Sequence, residues 1–205
     1  MRKQLLIVLI LLLSGHINSQ IGGYALKFDG TDDYVSIADN ASIDFTSSQS
    51  YTIEAWIYAE VLTSSNVGRA VLSKYNNSDA SYFVRVNPDG SLYFDNLNTS
   101  AGVITTNKWY HIACVYKAGD GAYRKVFVNG TEKSLSGGPV TGPNDGNSEP
   151  LKIGRHNNFA NDWYGKIDDV RIWNTFRTEA EIKANMYKEL AGNETNLAAY
   201  YKMSN

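Results

Sequence analysis

Cysteine is almost missing from this chain of 205 residues, with Cys114 standing alone. A single thiol closes no internal disulfide, so an exported form would depend on its core, and on any bound metal, for stability. Charge of one sign is also lacking: 19 basic residues face 21 acidic ones, for a net charge of -2. That balance offers no broad basic footprint for a phosphate backbone, and nucleic acid is not an expected partner. Proline is scarce, at 4, and helical periodicity is confined to one late segment, which excludes collagen-like and coiled-coil chains. Long apolar runs are missing too, apart from the nine residues Leu5–Leu13. At about 1.5 Å per residue that run falls well short of a bilayer core of about 30 Å.

Arg2 and Lys3 precede this run, and Ser14 to Ser19 follow it with small and polar residues. Positive, apolar, then small and polar is the order of a secretory signal peptide. Cleavage after Ser19 leaves a domain over residues 20–205, without an integral membrane segment, that is secreted or held at the cell surface. Met203 ends what reads as the last strand, which allows further domains of a longer chain.

What is abundant is aromatic and β-branched: 14 tyrosines, 7 phenylalanines and 4 tryptophans. These fit half-buried pleated surfaces. Short segments of strand character recur between turn residues: Tyr24 to Phe28, Tyr34 to Ile37, Tyr51 to Tyr58, Ser81 to Val86, Ser91 to Phe94, Trp109 to Tyr116 and Tyr123 to Val128. Leu151 to Gly154, Trp163 to Trp173 and Leu197 to Met203 complete the series. Asn87-Pro88-Asp89-Gly90 predicts a hairpin, and Asp29-Gly30 a tight turn. In Tyr51 to Tyr58, Ile53, Ala55 and Ile57 share one face while Glu54, Trp56 and Tyr58 share the other. Cys114 sits in an apolar run and reads as a small buried hydrophobe. Thr178-Glu179-Ala180-Glu181 has the form of a capping box, and Ile182, Met186 and Leu190 form a stripe, which predicts a helix from about Glu179 to Lys188. So many short strands predict an all-β, antiparallel β-sandwich of two packed sheets, with one short C-terminal helix.

Binding on such a scaffold is expected in loops. Arg155 to Trp163 mixes amides, a carboxylate and aromatics, which suits hydrogen bonding to sugar hydroxyls and stacking on a sugar's apolar face. Asn157, Asn158, Asp162 and Trp163 are its candidates. Asn144 and Asp145 mark a second place within the long segment from Ser136 to Pro150, which reads as a surface loop. Trp56, Trp109 and Trp173 are expected in the core. Catalysis is not expected: Glu54 and Glu60 lie roughly 20 Å apart along a strand, and the adjacent Asp168 and Asp169 face opposite sides of a regular one.

Five segments in order carry a family likeness: Ala25 to Val35, Tyr51 to Trp56, Lys108 to Ala113, Val126 to Gly130 and Gly165 to Asn174. Together they resemble laminin G-like domains of the concanavalin A-like lectin/glucanase superfamily. The resemblance implies a jelly-roll sandwich that binds a glycan or an extracellular protein, in adhesion or lectin-like roles. Glycosidases of that superfamily carry a dense Glu-x-Asp-x-Glu or Glu-x-Asp-x-x-Glu cluster, which this sequence lacks. A glycoside hydrolase-related domain and a structural spacer of a larger cell-surface protein are the alternatives. Related domains often bind calcium where their first and last strands run together. This makes Asp29, Asp168 and Asp169 the metal candidates and Ca2+ the expected cofactor.

Overall fold

The computed structural model describes residues 24–62, 68–75, 80–119, 123–138, 143, 147–157 and 161–203. In chain order the strands are β1 (Leu26–Asp29), β2 (Val35–Ile37), β3 (Tyr51–Ala59), β4 (Arg69–Tyr75), β5 (Ala80–Val86), β6 (Leu92–Phe94), β7 (Leu97–Asn98) and β8 (Trp109–Lys117). They continue as β9 (Tyr123–Val128), β10 (Thr131–Lys133), β11 (Ser136–Gly137), β12 (Leu151–Ile153), β13 (Tyr164–Trp173) and β14 (Leu197–Tyr201), with the helix α1 (Glu179–Asn185) between the last two. They form two antiparallel sheets of seven strands each, ordered β1-β13-β3-β8-β9-β10, with β14 also on β13, and β11-β7-β6-β5-β4-β12-β2.

Strict alternation explains the sandwich. Ile53, Ala55 and Ile57 on β3 and Ile112 and Cys114 on β8 point inward, where Val84, Val86, Leu92 and Ile153 of the second sheet meet them in one buried cluster. Each buried Ile, Val or Leu among them contributes about 1.5 to 3 kcal/mol on leaving water, which sets the register of the central strands. Burial also pushes the Cys114 thiol well above its usual range, as expected for a core residue.

The hairpin at Asn87 to Gly90 joins β5 to β6, with Val86 opposite Leu92. The turn after Asp29 does something else. β1 pairs with β13, whereas β2 pairs with β12 in the other sheet, so this turn carries the chain across the sandwich. β1 and β14 lie end to end along one edge of β13, pairing with Tyr164 to Ile167 and with Val170 to Trp173. The first and last strands therefore meet, as expected. Four described strands lie outside the sequence expectation: β4, which a short apolar run disguises, and β7, β10 and β11, which are only two or three residues long.

α1 has the expected capping box: the Thr178 hydroxyl accepts from the Glu181 amide, and the Glu181 carboxylate accepts from the Thr178 amide. Ile182 packs on Ala113, Val115 and Phe127, a small second cluster on the outer face of the first sheet. The helix ends at Asn185, before Lys188, because side chains take over its terminal carbonyls. Arg171 donates to the carbonyls of Asn185 and Lys188 at 3.0 and 2.6 Å, and the Trp56 indole donates to that of Met186 at 2.9 Å.

Candidate functional site

The crossing turn gathers acid. Asp29, Asp32 and Asp33 are exposed, and their carboxylates lie within 4.8 Å of one another. Asp29 Oδ1 accepts from the Thr31 amide at 2.8 Å, and Asp33 Oδ2 from the Asp29 amide at 3.0 Å, so the backbone shapes the cluster. Gly30 is required here: its φ is +78°, and an added Cβ would lie 2.8 Å from Tyr164 Cβ. Behind the turn, Arg69 donates to the Asp162 carbonyl at 2.7 Å.

The expected metal candidates do not converge. Asp29 pairs across the ladder with Tyr164, four residues before Asp168, which places them about 13 Å apart along the strand. Asp168 and Asp169 lie at the junction of β1 and β14, both buried. The strand is not regular there. Its register with β3 shifts between Asp168 and Arg171, and Asp169 has φ +53°, so the rule of opposite faces fails. Asp168 accepts the Asp169 amide at 2.8 Å, and the Asp169 carboxylate pairs with the Arg171 guanidinium. Burial, with the Asp169 charge adding to it, raises the Asp168 carboxyl to about 7.

The loop candidates divide. Trp163 is fully buried, its indole donating to the Lys166 carbonyl at 3.2 Å, which corrects its reading as a stacking surface. Asp162 is also buried and sits 3.2 Å from the Arg155 guanidinium. Burial raises its carboxyl, Arg155 and Arg69 oppose that, and Asp32 and Asp29 add to it. Both residues stabilise the loop from within. Asn157 is half-buried and donates to the Pro150 carbonyl at 3.1 Å. Asn144, Asp145 and Asn158 lie outside the described residues.

Beneath α1 is a buried polar cluster. Glu54 is 3.2 Å from His111 and 3.3 Å from Arg177, with Arg171 at 3.9 Å. Burial pushes the Glu54 carboxyl up, but the hydrogen bond and charge of His111, then Arg171 and Arg177, outweigh it and hold the carboxyl below its usual value. Glu54, His111 and Arg171 are at most 1% exposed. They are closed to solvent, and the ion pair of Glu54 with Arg177 fastens the C-terminal segment to the sheet.

The same outer face is open beyond α1. Pairing aligns Lys27, Lys166, Tyr58 and Trp109 in one row across β1, β13, β3 and β8. The Tyr58 and Trp109 rings lie 5.5 Å apart and tilted by 53°, with the Lys166 ammonium 5.6 Å from the Tyr58 centroid. Tyr58, Trp109, Tyr110, Asn107, Lys108 and Asn129 line a groove of about 400 Å³. Trp109 and Trp56 are half-buried on this outer face, which corrects their expected place in the core. Trp173 is buried, and the Arg177 guanidinium lies 3.8 Å over its ring. Strand parity was the available signal, because Trp56 and Tyr58 alternate with the inward Ile53, Ala55 and Ile57.

Comparison with known proteins agrees with this architecture. A protein from Bacteroides ovatus ATCC 8483, named a "putative carbohydrate binding protein", superposes with a TM-score of 0.66 at 23% identity, covering 87% of this chain and 52% of that one. Domain 4 of AbnA, a GH43 extracellular arabinanase from Geobacillus stearothermophilus, solved with arabinotriose, gives 0.56 at 22% identity, covering 78% and 75% of the two chains. Human pappalysin-1 is 26% identical over 122 residues, which are 58% of this chain but 7% of that protein's length. A family model described as the concanavalin A-like lectin/glucanases superfamily matches residues 29–183. The chain, a two-sheet antiparallel sandwich with one short helix, belongs to the laminin G-like branch of that superfamily.

Proposed function

We propose that this chain is an exported, non-catalytic module that binds carbohydrate in the groove between Tyr58 and Trp109. The observation that carries this reading is a pair of tilted rings, open to solvent and bordered by the side-chain amides of Asn107 and Asn129. Rings supply apolar contact to a sugar's C–H face, and amides read its hydroxyls. The carbohydrate-binding name of the Bacteroides ovatus protein and the arabinotriose held by the arabinanase domain support the choice of ligand. Export rests on the order of Arg2, Lys3 and Leu5–Leu13. A non-catalytic role rests on the burial of Glu54, Asp168 and Asp169, which keeps those carboxylates from a glycosidic bond.

Calcium belongs to the proposal at Asp29, Asp32 and Asp33. Three clustered carboxylates are a suitable oxygen donor set for this hard cation. Bound there, it would neutralise the turn that links the two sheets.

Screening the protein against a panel of neutral oligosaccharides by glycan array and calorimetry tests the groove. Trp109→Ala is expected to weaken binding at least tenfold while leaving the unfolding midpoint within a few degrees, since the ring is half exposed. Undiminished binding by this variant would place the sugar elsewhere.

A further inference from the structure

The outer face of the second sheet carries a guanidinium that no anion meets among the described residues. Tyr82, Val84 and Val86 of β5 point into the core, so Phe83 and Arg85 point outward. Pairing sets Arg85 beside Tyr93 of β6, and Tyr93 beside Asn98 of β7. The guanidinium lies 4.1 Å from the Tyr93 ring centroid and 5.6 Å from that of Phe83. Among the described residues no carboxylate pairs with Arg85, and its buried Nε has no hydrogen-bond partner. Burial pulls its pKa down, with only Tyr93 opposing, as expected for a charge removed from water without compensation.

The surroundings repeat this sign. Arg85 and Lys152 are the charges that act on the neighbouring His156, which meets Phe83 edge-on with centroids 4.5 Å apart. Lys152 belongs to the same outer face, pairing with Ser73, which in turn pairs with Phe83. A cationic face on a chain of net charge -2 is not a consequence of overall composition.

A guanidinium lying over an aromatic ring contacts it by its face and keeps its N–H edge free, and that edge matches a carboxylate or sulfate with two parallel hydrogen bonds. We propose that this face binds an acidic polysaccharide, with Arg85 pairing its carboxylate or sulfate and the exposed edge of Tyr93 contacting the sugar ring. Asn98 borders the same row and is placed to read a hydroxyl. This site is separate from the Tyr58–Trp109 groove and stands whether or not that groove binds neutral sugar.

Affinity electrophoresis through gels containing polygalacturonate, dextran sulfate or neutral dextran tests it. Retardation by at least one acidic polymer is expected, and which one distinguishes carboxylate from sulfate. Arg85→Gln should weaken it at least tenfold, and Arg85→Lys severalfold, because an ammonium has no fork. Lys188→Gln, which removes one exposed charge on the other side of the molecule, should leave it unchanged. No retardation on either acidic polymer, or retardation of Arg85→Lys equal to that of the unaltered protein, would overturn the proposal. So would an equal loss in Lys188→Gln, since that would reflect net charge alone. Thermal unfolding checks that each variant is folded. Should Arg85→Gln fail that check, Tyr93→Ala supplies the same test, with a tenfold loss expected and undiminished binding overturning the site.

Discussion

Asp168 shows how strongly one residue's neighbours can alter its chemistry. An aspartate ordinarily titrates near about 3.9, but burial raises this carboxyl to about 7. The folded chain therefore retains a proton that the unfolded chain releases. The resulting stability is fully present below about pH 4 and is lost as pH rises toward 7. Asp168→Asn keeps an oxygen to accept the Asp169 amide and removes this titration. Thermal unfolding across that range should show the variant's midpoint climbing relative to the unaltered protein, then holding a constant lead above about pH 7. A gap that is equal at pH 5 and pH 8 would contradict the raised carboxyl. Trp163 shows the same dependence on surroundings: a tryptophan in a polar loop has the composition of a sugar platform, yet its ring is fully buried.

At the scale of elements, α1 depends more on what lies beneath it than on its own length. Seven residues are too few for a stable isolated helix in water. Its capping box, the Ile182 contact with Ala113, Val115 and Phe127, and the carbonyls held by Arg171 and Trp56 supply the rest. Arg171 and Arg177 can be buried there because Asp169 and Glu54 between them supply two negative charges. Glu54→Gln keeps the shape and removes the charge, leaving the Arg177 guanidinium without its carboxylate and Arg171 with Asp169 alone. The expected loss is about 3 to 5 kcal/mol, read from urea unfolding. A loss below about 1 kcal/mol would mean that His111 and Asp169 hold the segment without Glu54.

For the molecule as a whole, the two sheets are not equivalent. α1 covers the first sheet's outer face at Ala113, Val115 and Phe127, and the face opens at the Tyr58–Trp109 groove. The turn at Asp29 joins the sheets at one end, so a cation there would act on the stability of the entire sandwich. Binding confined to the folded state raises the unfolding midpoint by mass action. The midpoint is expected to rise in calcium and fall in EDTA, and Asp29→Asn should abolish the difference while Asp169→Asn leaves calcium sensitivity intact. Equal midpoints in calcium and EDTA would remove the metal from the proposal.

Local sequence was enough for the fold class, the central strands other than β4, the Asn87–Gly90 hairpin, the helix cap and the family. Each of these is a local pattern: alternation, turn chemistry, capping, or an ordered set of short motifs. Tertiary structure alone decided which residues became surface. Parity along β3 is local, but which outward residues α1 would cover is not, so Glu54 is buried while Tyr58 is open. The irregularity at Asp169 likewise depends on the Arg171 guanidinium and on two strands meeting at one edge of β13. The row of Asn98, Tyr93 and Arg85 needs three strands in register. A binding face assembled across strands has no spacing in the chain to mark it, because cross-strand neighbours are set by pairing and not by sequence distance.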